Sequence, residues 1–192
     1  MKIFIVYCHP SKDSFTNKVF EEFKKGLTDG GHKFIVSDLY EMNFMSDMSF
    51  EEYLRESKYS FDLPVPEDVL IEHEKINSSD AIVFIYPVWW SDCPAKLKGW
   101  FDRVLTVGFA YGTERTSMPQ SKKVLFLCTA GHQIEYLSDI GISKSMETIA
   151  LVDRIGSKAR ESQMIILGGM VQKDVAVMRN NLAKAYFAGR DF

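Results

Sequence analysis

A chain of 192 residues, 46% hydrophobic and 26% charged, has the size and balance of one domain spanning residues 1–192, which excludes two independent cores, extended disorder and a membrane-embedded protein. Its net charge of −3 provides no basic field for nucleic acid or anionic lipid. The three scattered cysteines, Cys8, Cys93 and Cys128, form no C-x-x-C pair; they argue against a disulfide framework or zinc site and predict buried thiols in a reducing cytoplasm.

The chain begins "KIFIVYC" at residues 2–8, too short an apolar run for a signal peptide and right for a first strand. No stretch approaches the ~18 apolar residues of a spanning helix. Phe15, Val19, Phe20, Phe23 and Leu27 then fall on one helical stripe, with Ser14 as N-cap and "DGG" at 29–31 as the stop. Strand two is "KFIVSDL" at 33–39, and Ser49 with Glu52 has capping-box spacing for a short helix. "DLPVP" breaks that helix before "EDVLIEHEKINSSD", on which His73 reads as solvated.

"AIVFIYPV" at 81–88 is the third strand, Pro87 is expected to stop its ladder pairing, and a helix opens near Pro94 or Ala95. "KVLFLCT" at 123–129 and "QMIILGG" at 163–169 complete five strands, with helices predicted over 143–160 and 172–188, the latter ending at Gly189. The strands are continuous apolar runs, the pattern of a sheet covered on both faces. Five of them alternating with helices predict a doubly wound α/β fold, a parallel sheet in the common order 2-1-3-4-5.

In that order a ligand sits where the strand order reverses, beyond the carboxyl ends of the strands. Three loops converge there. After strand one, His9, Ser14, Thr16 and Asn17 surround a helix N-terminus able to bind phosphate, although Ser14 and Thr16 also suffice as simple caps. Neither G-x-G-x-x-G nor a Walker loop is present. After strand three, Pro87, Val88, Trp89 and Trp90 present either a surface for a planar aromatic cofactor or a core tryptophan pair under a loop, while Trp100 reads as core. After strand four, Ala130 and Gly131 allow close approach, and His132 and Tyr136 are polar; His132 is equally readable as an ordinary loop histidine. His9, His32, His73 and His132 are too scattered for a metal site, so none is expected.

His9-Pro10 with Ser14-Phe15, "YPVWW" leading into "PAKLKGWFDRV", "GFAYG" at 108–112 and the "TAG" loop with its tyrosine resemble the flavodoxin-like NAD(P)H:quinone oxidoreductases, the DT-diaphorase-like reductases, over nearly the whole chain. The resemblance implies a flavodoxin-like fold and a ping-pong enzyme that passes hydride from NAD(P)H through a flavin to a quinone, with nitro or azo compounds as further acceptors. It implies that the flavin phosphate lies against His9, Ser14, Phe15, Thr16 and Asn17. The ring would lie on Pro87, Val88, Trp89 and Trp90, and its polar edge would meet Thr129, Ala130, Gly131 and Tyr136. It also implies a homodimer in which Tyr111 reaches the partner's site, with Tyr136, His132 and Tyr111 as catalytic side chains.

"SFTN" resembles the FAD-binding members, favouring FAD over FMN. Ile142 stands where mammalian members have a histidine, so their Tyr–His relay does not carry over, and Thr113 replaces a second pocket tyrosine. Two other functions compete with the enzyme: an ancillary flavoprotein subunit that regulates a potassium efflux system, and a flavodoxin-type electron carrier. The near-balanced charge and the "GFAYG" insertion count against the carrier.

Overall fold

The computed structural model describes residues 1–61, 63–112 and 116–192. Five parallel strands, β1 (Lys2–Tyr7), β2 (Lys33–Asp38), β3 (Ala81–Pro87), β4 (Ser121–Thr129) and β5 (Ala159–Leu167), are ordered β2-β1-β3-β4-β5, as predicted. Ile5 stands beside Val36 on one side and Val83 on the other, and Val83 beside Leu125. All seven β3 residues are buried, which explains its unbroken apolar sequence.

The alternation of side chains divides the core into two layers. Ile3, Ile5 and Tyr7 face α1 (Phe15–Asp29) and α7 (Val175–Arg190). Phe4, Val6, Phe84 and Phe126 face the other layer, which contains α4 (Ala95–Val104) and residues of α3 (Glu67–Asn77). Ser14 caps α1 by accepting the Asn17 amide at 3.0 Å. Ser49 and Glu52 form a complete capping box on α2 (Phe50–Ser57). Trp100 is fully buried, and its indole N–H donates to the equally buried Glu72 at 2.7 Å. Glu72 also accepts from Ser37 and Lys75, so the carboxylate has partners on every side. The three thiols are free and buried, and burial pushes them up to about 12.

Five expectations need correction. Pairing does not stop at Pro87, which stands beside Thr129; the Val88 amide also donates to Thr129 O at 2.8 Å. Proline lacks only the donor, and the parallel ladder passes around it. The helix predicted over 143–160 is composite. It comprises α6 (Ile142–Glu147), a π-helical segment Thr148–Ile155, a short 3-10 turn Gly156–Lys158 and the beginning of β5. A separate short helix, α5 (Ile134–Asp139), precedes it. β5 begins four residues earlier than read because Arg160, Glu161 and Ser162 are solvent-exposed at the sheet edge and lack the apolar signature.

Gly189 does not end α7; it lies inside the helix. A Cβ there would stand 2.3 Å from Phe23 O, and one at Gly26 would stand 2.0 Å from Tyr186 O, so both glycines allow α1 and α7 to touch. His73 is buried rather than solvated. Its Nε2 donates to Val104 O at 2.8 Å, and its ring stacks on Phe109 with centroids 3.6 Å apart.

Burial holds the His73 imidazole below its ordinary value of 6.5, an effect partly offset by the Val104 carbonyl. The unfolded chain therefore takes up this proton first as pH falls. The contribution of His73 to stability is complete above about 6.5 and is lost as pH drops through the lower folded value. Urea midpoints of the wild type should decline between about pH 7 and pH 5. His73→Gln should be less stable at pH 7 and show a shallower decline; an unchanged slope would place the proton dependence elsewhere.

Candidate functional site

The carboxyl ends of β1, β3 and β4 meet where α1 and α4 leave the sheet on opposite faces. Direct contacts join the three loops. The His9 ring approaches that of Trp89 edge-on at 6.3 Å, and Thr16 Oγ1 lies 2.8 Å from Thr129 Oγ1. Val88, Trp90, Ser91, Ala130, Gly131, His132 and Leu137 line a cavity of about 230 Å³.

At the first loop, His9 Nδ1 accepts the Ser11 amide at 2.9 Å, and burial lowers its pKa, with the Ser11 carbonyl opposing. The amides of Phe15 and Thr16, at the head of α1, have no acceptor among the described residues. These are the groups that bind an anion at a helix N-terminus. Their side chains do other work: the Phe15 ring packs against the α1 layer, and the buried Thr16 hydroxyl pairs with Thr129. Asn17 Oδ1 accepts from Tyr7 Oη at 3.2 Å, and burial pushes that phenol up to about 12. Ser14 is committed as the cap.

At the second loop, Trp89 and Asp92 close a tight turn by exchanging backbone hydrogen bonds at 2.9 and 3.1 Å. Trp90 and Ser91 inside it adopt φ of 51° and 63°, a left-handed conformation that costs non-glycine residues about 1–3 kcal/mol each. Their amides also lack acceptors among the described residues. Trp90 is wholly exposed, at 101% of its reference area, and Trp89 partly so. They are not a core pair. Asp92 is fixed by Arg154, whose fork holds the carboxyl below the usual carboxylate range although partial burial opposes this.

At the third loop, the segment after β5 supports the chain. Ala130 N donates to Leu167 O, Met170 N to Ala130 O and Gly169 N to His132 O, all within 3.2 Å. Gly168 is required here, since a Cβ would lie 2.7 Å from His132 O. Asn181 of α7 anchors Gly168 O at 2.9 Å. His132 and Tyr136 are exposed, with ring centroids 4.9 Å apart. Ile142 packs against the α4 layer.

Tyr111 stands apart from the crevice of its own chain. Its hydroxyl donates to Glu56 at 2.8 Å, and it lines a cavity of about 310 Å³ with Lys98, Asp102 and Lys158. Thr113 lies outside the described residues. Sequence reasoning missed Asp92, Arg154, Gly168 and Asn181. The "GG" after β5 was the signal for Gly168, whereas the Asp92–Arg154 pair spans 62 residues and leaves no local trace. Among the described residues, no group of three or more candidate metal-ligating side chains occurs, and no helix is long and apolar enough to cross a membrane.

The chain is 49% identical to the NAD(P)H:quinone oxidoreductase of Methanothermobacter marburgensis, with a TM-score of 0.93 over 100% of this chain and 95% of that one. It is 35% identical to an uncharacterized NAD(P)H oxidoreductase of Haemophilus influenzae over 76% of this chain and 72% of that protein. With the NAD(P)H dehydrogenase [quinone] 1 of Rattus norvegicus it shares 31% over 90% of this chain and 71% of that protein. Residues 1–154 match the Flavodoxin_2 family, described as a flavodoxin-like fold, and the chain belongs to that family.

Proposed function

We propose that the chain is a flavin-dependent NAD(P)H oxidoreductase that reduces quinones, with azo and nitro compounds as further acceptors. The observation that carries this reading is the convergence of four acceptor-less amides, those of Phe15, Thr16, Trp90 and Ser91, with an exposed tryptophan around one crevice. That donor set suits an anionic, planar aromatic ligand: amides and a helix N-terminus for phosphate, an indole face for a ring system. The relatives named as NAD(P)H oxidoreductases and quinone dehydrogenases support the same reaction.

When bound, the flavin supplies hydride and electron transfer, chemistry that side chains do not provide. The protein's residues would hold and aim it. Phe15 and Thr16 would bind its phosphate, assisted by His9, Ser14 and Asn17. Pro87, Val88, Trp89 and Trp90 would form the face beneath the ring, and Thr129, Ala130 and Gly131 its polar edge. Tyr136 Oη and the His132 ring, both open to solvent, would hold or deliver the proton that the acceptor needs. FAD is the proposed cofactor, on the strength of "SFTN", and FMN the alternative. The buried, unpaired thiols support a cytoplasmic setting.

The active unit is proposed to be a homodimer. Phe50, Tyr53, Tyr59, Phe61 and Tyr111 are all exposed, and Tyr59 meets Tyr111 edge-on at 6.2 Å. Exposed aromatic side chains this close together mark a surface that another molecule covers. A second copy would bring Tyr111 to the crevice that its own chain does not let it reach.

Purified protein should be yellow, release FAD on denaturation, and lose its visible flavin absorbance on anaerobic addition of NADH or NADPH, recovering it with a quinone. Flavin-reconstituted protein that oxidises neither nucleotide would refute the function, and FMN as the sole extracted species would reverse the cofactor choice. Trp90→Ala should lose about 1–3 kcal/mol of flavin binding, the worth of an aromatic stacking face. Because Trp90 buries nothing in the chain, the urea midpoint should stay within about 0.5 kcal/mol of wild type. Sedimentation equilibrium should give twice the chain mass, and Tyr59→Lys with Phe61→Glu should give a folded monomer with little quinone reductase activity; a monomeric active wild type would rule out the shared site.

A further inference from the structure

The turn carrying Trp89 and Trp90 places two consecutive non-glycine residues in the left-handed region and leaves one indole in water. Its own two backbone hydrogen bonds are a weak means of holding that conformation. The stronger restraint comes from the π-helical segment. Arg154 donates Nη1 to Asp92 Oδ1 at 2.8 Å and Nη2 to Asp92 Oδ2 at 2.7 Å, a two-pronged pairing that fixes direction as well as distance. Its guanidinium lies 5.0 Å from the Phe101 ring centroid on α4, and its side chain is only 9% exposed. Asp92 also accepts the Cys93 amide at 2.7 Å, so the carboxylate links the turn, the start of α4 and the π segment. A π-helical stretch shifts the phase of the residues after it, and it is from this stretch, near its end, that Arg154 reaches the turn.

We propose that Arg154 is a positioning residue for the cofactor: by clamping Asp92 it fixes the turn so that the Trp90 face and the Trp90 and Ser91 amides are aimed before the flavin arrives. The proposal rests on the reading that the flavin lies on this turn. A turn fixed in advance does not spend binding energy on ordering itself. Lysine cannot reproduce the fork, so Arg154→Lys is not a silent exchange.

The test is titration of the full-length apoprotein with FAD and with FMN, followed by flavin fluorescence, for wild type, Arg154→Lys, Arg154→Gln, Asp92→Asn and the Asp92→Asn/Arg154→Gln double variant. Near-UV circular dichroism of the tryptophans serves as a second readout. Arg154→Gln and Asp92→Asn should each weaken flavin binding about tenfold and change the tryptophan spectrum, with Arg154→Lys falling between them and wild type. The double variant should be no worse than either single one, because all remove the same clamp. If Arg154→Gln does not fold, Arg154→Lys decides the matter, since it keeps a cation beside Asp92 and removes only the two-pronged fork. Wild-type protein that binds flavin alongside variants that bind it equally well, or losses that add in the double variant, would overturn the clamp and leave the function standing. Wild-type protein that binds neither flavin would overturn both.

Discussion

Two helices leave the sheet in opposite directions from neighbouring strands, and the site depends on that divergence. α1 follows β1 onto the face that carries Val19, Phe20 and Phe23; α4 follows β3 onto the face that carries Leu97, Trp100 and Phe101. Their first turns therefore separate, and the backbone polar groups there cannot pair with each other. An unpaired backbone donor is tolerated where solvent or a ligand can reach it. The amides of Phe15 and Thr16, and those of Trp90 and Ser91 in the turn that precedes α4, are such donors, and they edge the crevice that the divergence opens.

The part of the chain between β2 and β3 solves a different problem. It supports the irregular segment 105–111, which has no sheet or long helix to satisfy it. Glu56 accepts the Val107 amide and the Tyr111 hydroxyl, Arg55 donates to Val107 O, and His73 donates to Val104 O. These groups are themselves fixed by charge. Arg103 is buried between Glu52 and Asp68, and Arg55 pairs with Glu56. Removing one member of such a buried set would strand the other charge at a cost of about 3–5 kcal/mol, so the set behaves as a unit. These bonds hold the segment that carries Tyr111 and the aromatic side chains around it.

What was legible in the sequence follows from range. The strands were visible because burial on both faces leaves an apolar run, and the caps at Ser14 and Ser49 because both partners of each cap lie within three residues. β5 was misread at its start because an edge strand need not be apolar. His73 was misread because it was judged alone; Val69 and Ile76 on the same buried stripe give its orientation. The three loops of the crevice were legible because the strand order predicts which ends meet. The supports of those loops were not. Arg154 to Asp92, Asn181 to Gly168 and Thr16 to Thr129 join distant segments through one or two polar atoms each, and no periodicity records such a pair.

The proposed site would let a chain of net charge −3 hold an anionic cofactor without a cluster of basic side chains. Lys12, the lysine in the loop before α1, is already engaged by Asp38 and Glu41. On the proposed reading, the phosphate charge would be met by the helix itself. The sequence leaves it free to do so: α2 opens with Glu51 and Glu52, and α3 with Glu67 and Asp68, each neutralising its own positive end, whereas α1 has no acidic residue in its first turn. An acid there would have stabilised the isolated helix by about 0.3–1 kcal/mol. Its absence from α1 leaves the positive end, and the two open amides beside it, available to a ligand.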